Sequence, residues 1–194
     1  MNQNIIYIAA IVIQAGIIIF FLRRGAAGRK KQTVALPDDE SYAGRRSIAI
    51  SIRPEQMELT IPASLTVVYG VILDWNLNNS LMTLAAYING AASLYMSSGQ
   101  NITGGGKNPI VGEAALAFVV AAGDYVERAM PVATADLPPA GCIRFYLLTN
   151  KGLYGAQEQQ AHMEDATSPW LRLFELGGEV IEEIKTSGSA EMKN

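Results

Sequence analysis

The chain has 194 residues, with 15 Lys+Arg against 18 Asp+Glu, one His, one Cys and 49% hydrophobic residues. That length favours one globular domain with room for an appendage, and a charged share of 17% excludes a disordered chain. Cys142 alone excludes an internal disulfide framework or a cysteine-built zinc site, and His162 alone excludes a histidine cluster for metal.

The charge is unevenly placed. Arg23, Arg24, Arg29, Lys30 and Lys31 give the first 31 residues +5 with no acidic residue among them. The other 10 basic and 18 acidic residues leave −8 for the remainder, an acidic body on a basic stalk. Such a body is poorly suited to neutralising phosphates, so no nucleic-acid partner is expected.

Ile5 to Leu22, IIYIAAIVIQAGIIIFFL, holds 18 residues without a charge. At about 1.5 Å per residue a helix of that length spans roughly 27 Å, close to a bilayer core of about 30 Å. Isoleucine runs make poor soluble helices, but in lipid the backbone must satisfy its own hydrogen bonds. A cleavable signal peptide needs a basic segment before the apolar core and small residues after it. Here Met1 to Asn4 is uncharged and the core runs directly into Phe20-Phe21-Leu22-Arg23-Arg24. The reading is therefore an uncleaved single-pass anchor over residues 1–24, with the bilayer as its partner. The basic cluster prefers the cytoplasmic side, which puts the N-terminus outside and the C-terminal domain in the cytoplasm. Gln14 lies near mid-membrane, as a contact to another helix or as a tolerated lone amide.

Residues 25–46 read as a linker broken by Pro37, with helical potential around Asp38 to Arg45. The soluble domain is assigned to 47–186. Ile48, Ile50 and Ile52 alternate with Ala49 and Ser51 and predict a short strand, and Pro54 opens a turn of helix. From Ser64 the pattern sharpens. Val67, Tyr69, Val71, Leu73 and Trp75 alternate along a strand over 66–76, and Asn78-Asn79 turns the chain. Leu81 to Ile88 forms a second strand, Asn89-Gly90 signals a type I′ hairpin, and Ala91 to Ser97 returns as a third.

The stretch SSGQNITGGGKNP is predicted to be irregular. Asn108 then caps a helix that starts at Pro109 and covers Ile110 to Met130, apolar on most sides and therefore buried. Cys142 to Thr149 is a fourth strand and Leu153 to Gln157 a fifth. Ser168-Pro169 opens a last helix with Trp170, Leu173, Phe174, Val180, Ile181 and Ile184 on one face, weakened at Gly177-Gly178. Residues 187–194 form a polar, disordered tail. The fold class is thus α+β: a transmembrane helix, then a mainly antiparallel five-stranded sheet packed with two main helices. This order of strands and helices over roughly residues 64–186 resembles that of longin, roadblock and profilin-like modules. The resemblance implies an interaction platform that scaffolds or adapts.

Strands 66–76 and 142–149 carry apolar residues on both faces, so one sheet face needs a cover beyond two helices. The N-terminal strand or a partner would supply it. Five tyrosines (Tyr69, Tyr87, Tyr95, Tyr146, Tyr154) lie on strands, which suits either internal packing or an interface.

The glycine loop Thr103-Gly104-Gly105-Gly106-Lys107-Asn108 is the candidate ligand site. It leads into a helix N-terminus, where free N–H groups favour a phosphate or other anion. The P-loop pattern fails at Asn101 and Asn108, where it requires glycine and a hydroxyl residue. Asp74 has no partner visible in sequence and reads as a hydrogen-bonding strand residue. His162 reads as an exposed loop histidine without companion ligands, and Cys142 as a small core residue. No catalytic set, metal site or cofactor is called for. Two functions follow as expectations: a membrane-anchored adaptor with a protein partner or self-association, or an anion-binding regulatory domain using residues 103–108.

Overall fold

A computed structural model describes residues 41–77, 80–99, 101–103 and 108–191. The anchor at 1–24, the linker up to residue 40, the Asn78-Asn79 turn and Gly104 to Lys107 lie outside the described residues.

The described chain begins with helix α1, Tyr42–Ser51. Ser41 caps it by accepting from the Gly44 N–H at 3.0 Å. Tyr42, Arg46 and Ala49 stand at helical spacing on its inner side, and Arg46 and Ala49 are buried. Arg53, held extended before Pro54, prevents continuation. The predicted strand at Ile48, Ile50 and Ile52 is therefore a helix. Its apolar alternation lost to the cap and to the polar anchor points beneath it.

One antiparallel sheet follows, of six strands rather than five, plus a two-residue edge segment. These are β1 Val68–Leu77, β2 Ser80–Tyr87, β3 Ala92–Met96, β4 Asn101–Thr103, β5 Met130–Pro131, β6 Cys142–Thr149 and β7 Gly152–Gln159. Their spatial order is β4-β3-β2-β1-β6-β7-β5, with β5 the short edge segment. The meander β1-β2-β3 stands as the alternation predicts. Its second turn differs in type: the Gly90 N–H bonds the Tyr87 carbonyl, and Gly90 but not Asn89 adopts positive φ. That is a three-residue loop closed by a left-handed glycine, not a type I′ turn. β4 corrects the irregular stretch. Gly99 at φ +92° reverses the chain, and Asn101–Thr103 pairs back onto β3.

Helix α2, Pro109–Ala122, continues as a 3-10 turn, Gly123–Arg128, so the regular helix is shorter than predicted. Among the described residues this run, 109–128, is the one long and apolar enough to cross a membrane. It packs one face on the sheet, with Val111, Ala115, Phe118, Val119 and Ala122 buried, and leaves Ile110 exposed, so it is not buried all round as predicted. A short helix α3, Gln160–Glu164, joins β7 to the long helix α4, Leu171–Glu191.

Strand register divides the side chains between two faces. Leu73 stands beside Leu84 and Phe145, and this face lies under α2 and α4. Phe145 stacks on Trp170 at 5.1 Å, and Trp75 meets Phe174 edge-on at 4.9 Å. Gly177 makes this approach possible, since a Cβ there would come within 2.7 Å of Leu73 Cδ2.

Candidate functional site

The opposite face is built differently. Gly70, Ile72 and Asp74 stand beside Tyr87, Ala85 and Thr83 on β2 and beside Leu148, Tyr146 and Arg144 on β6. Its cover is α1, together with the loop between β5 and β6. That loop is tied by Tyr146 O–H donating to the Asp136 carbonyl and by Asn76 Nδ2 donating to the Pro138 carbonyl at 2.9 Å.

A chain of polar contacts fastens α1. Arg46 Nε reaches both Asp74 carboxylate oxygens, at 3.1 and 3.0 Å, and its Nη2 meets Oδ2. Thr83 donates its hydroxyl to Asp74 Oδ1, which leaves the oxygen of Thr83 to accept from the Tyr42 hydroxyl at 2.8 Å. The order is Tyr42 to Thr83 to Asp74, with Arg46 closing it from the helix. Asp74 is 0% exposed and Arg46 9%, so the pair is buried and its two charges compensate each other. The Arg46 guanidinium also lies 5.8 Å from the centre of the Tyr146 ring. Burial opposes the charge on Arg46, but the hydrogen bonds and charge of Asp74 hold its pKa above the ordinary value. Burial pushes the Tyr42 hydroxyl up, and the nearby Asp74 charge adds to the shift.

Two tyrosines complete the attachment at the other end of the helix. The last carbonyls of a helix lack internal partners. Tyr87 O–H donates to the Ala49 carbonyl at 2.7 Å, and Tyr69 O–H donates to the Ile52 carbonyl at 3.0 Å. Gly70 gives the Tyr87 ring its space, because a Cβ at residue 70 would lie 2.9 Å from Cδ1 of that ring. A break in the β1–β6 register at Tyr69 marks a bulge between Val68 and Gly70.

A groove of about 440 Å³ opens where α1 ends, lined in part by Ile52, Arg53, Tyr69, Leu148 and Asn150. Two of its polar side chains serve the fold. Tyr69 is bound to Ile52, and Asn150 accepts from Val67 N–H and donates to the Leu65 carbonyl, both at 2.9 Å.

The predicted glycine-loop site is described at its two ends. Thr103 ends β4, and Asn108 caps α2 as predicted, its side chain accepting from Ile110 N–H at 2.9 Å. Its amide also donates to Ser187 on α4 at 2.7 Å. Gly104, Gly105, Gly106 and Lys107 lie outside the described residues. Cys142 is half-buried and unpaired.

His162 departs from the sequence reading: it stands on α3, with Nδ1 2.6 Å from Glu158 Oε1. Ser168 donates to Glu158 Oε2 at 3.0 Å, so serine, carboxylate and imidazole meet in one cluster. Their wiring is structural. The serine is bonded to the carboxylate rather than to the imidazole, and its oxygen accepts from the Trp170 N–H at 3.0 Å. Burial opposes ionisation of Glu158, but bonds from Gln159 N–H, His162 and Ser168 hold its pKa below the ordinary carboxylate range. Among the described residues no group of three or more His, Cys, Asp or Glu is placed to hold a metal ion.

The sequence missed Arg46 as the partner of Asp74, because the two lie 28 residues apart. The spacing of Tyr42, Arg46 and Ala49 was the available signal. Compared with known proteins, the chain matches no family model, no curated protein and no solved structure.

Proposed function

We propose that this chain is a single-pass, membrane-anchored interaction protein whose α+β domain sits in the cytoplasm and engages a protein partner or a second copy. The observation that carries the reading is the order along the chain. A charge-free apolar run at 5–22 meets five basic residues by Lys31, and the stalk after them enters a helix clamped to the sheet. The clamp supports the reading because motion of a stalk reaches the domain only if the first element is fixed to it.

The test is fractionation of the full-length protein, followed by purification from membranes in mild detergent. Resistance to alkaline carbonate, a domain shielded from protease added outside intact cells, and a stoichiometric companion are the expected results. Extraction by carbonate, or digestion of the domain from outside, removes the anchor and its orientation. Emergence of both the full chain and a 34–194 fragment without companions or self-association removes the adaptor role. The anion reading at Thr103 to Asn108 stands second. The loop leads into α2, but the Asn108 side chain already occupies the Ile110 N–H.

A further inference from the structure

We propose that α1 is a releasable strap, which leaves the sheet as a unit while the sheet and its α2–α4 layer stay folded. Release would bring the Asp74 carboxylate to the surface. Three features of the structure lead there.

The first is that the helix holds on with less buried apolar surface than its counterparts: Ala49 joins the core, and Ile50 and Ile52 pack on it only partly buried. Of its ten residues only Arg46 and Ala49 are buried, whereas α2 buries Val111, Ala115, Phe118, Val119 and Ala122. Elements held by few buried apolar contacts open at lower free energy than the core. The second is the chemistry of the attachment. The contacts Tyr42–Thr83, Arg46–Asp74, Tyr87–Ala49 and Tyr69–Ile52 are all polar. Water can replace each of them once the helix lifts, so release leaves no charge stranded in an apolar place. Removing one partner while the helix stays down does strand a charge, which makes the ion pair the catch of the strap.

The third is connection. Residues 52–67 separate α1 from β1, and Met57, Leu59 and Ile61 on the core with Asn150 holding Leu65 and Val67 keep β1 in place when the helix moves. At its other end Ser41 continues into the stalk, so an event on the stalk acts on this helix before any other described element. The cover of the sheet thereby becomes a regulated one, and the face it hides carries a carboxylate with Thr83 on β2 and Arg144 on β6 beside it in register. The inference concerns residues 42–51 alone and does not depend on where 5–22 reside.

Hydrogen exchange of the full chain in detergent tests this. Amides of 42–51 should exchange together, about tenfold or more faster than those of β1 and β6. Asp74→Asn leaves Arg46 without its counter-charge and should speed 42–51 by about another tenfold, with strand rates within about threefold of wild type. Tyr69→Phe keeps the ion pair and should speed 42–51 alone by about threefold. Exchange of 42–51 in step with β1 and β6 in the wild-type chain overturns the proposal. So does loss of protection throughout the domain in Asp74→Asn, or an equal gain in strands and helix in Tyr69→Phe.

Discussion

The two faces of the sheet solve the same problem with different chemistry. Under α2 and α4, Leu73, Leu84 and Phe145 meet Phe118, Trp170 and Leu173 in a contact made of apolar surface and close fit. Under α1, Ala49 joins the core beside Ile72 and Ala85, but a buried ion pair and three hydroxyl contacts are added to that packing. Apolar packing is non-directional, whereas a polar latch works only in one register. The difference assigns the roles: both faces bury apolar residues, and the second adds a polar fastening that fixes where α1 sits.

Damage should therefore spread differently from the two faces. Phe118→Ala opens a cavity in the fully buried layer and is expected to cost about 3–5 kcal/mol, with every element losing protection together. Arg46→Ala leaves Asp74 unpaired, which would cost a similar amount if α1 stayed in place. Undocking of α1 rehydrates the carboxylate, so the global loss should stay below about 3 kcal/mol while 42–51 loses its protection. Denaturant titration read beside hydrogen exchange separates these outcomes. If Arg46→Ala loosens β1 and β6 as Phe118→Ala does, the faces do not differ in kind. The paired substitution Arg46→Met with Asp74→Leu should restore most of the loss, because it removes both charges from the buried site.

What could be read from the sequence follows the same division. The β1-β2-β3 meander and the Asn108-Pro109 helix start are local signals, an alternation of period two and a cap beside a proline, and both stand. The cover of the second face is a long-range matter. Its key residue, Arg46, carries meaning only once Asp74 is placed beneath it, and the alternating isoleucines at 48, 50 and 52 pointed to a strand instead. β4 depended on Gly99 turning the chain, which composition alone does not separate from a plain loop. The Glu158–His162 contact was not legible either, since Glu158 closes strand β7 and His162 stands on α3, and only the junction between them brings the two side chains together. Most of the candidate anion site gained no structural account, because Gly104 to Lys107 lie outside the described residues.

The glycine pair in α4 sharpens the picture of the apolar face. Sequence treats Gly177 and Gly178 alike, as two weak points in a helix. The structure separates them: Gly177 is buried against Leu73 and Phe118, while a Cβ on Gly178 would meet nothing within 4 Å. Gly178→Ala should stabilise the domain by about 0.5–1 kcal/mol, through helix propensity alone. Gly177→Ala gains the same propensity but forces Leu73 to move in a filled core, and should destabilise by about 1 kcal/mol net. Thermal melts of the two variants decide this. Equal gains from both would mean that the α4–β1 contact is looser than its geometry.

The smallest effect belongs to the helical face's own charged fastening. Glu158 pairs in register with Ile143, on the side of α4, and its carboxylate holds Ser168 and His162 at the rim. Its pKa is depressed in the folded state, so it adds stability that is fully present above the ordinary glutamate value of about 4.3. That contribution fades as pH falls through the lower folded value, because protonation then removes the acceptor that the three donors require. Wild type should melt above Glu158→Gln at neutral pH, and the gap should close only on the acid side of about pH 4.3. A gap that stays open well below about pH 4.3 would mean that the carboxylate is not stabilised by its donors. Asp74 and Glu158 would then differ in more than depth, and the rim of the helical face would depend on packing alone.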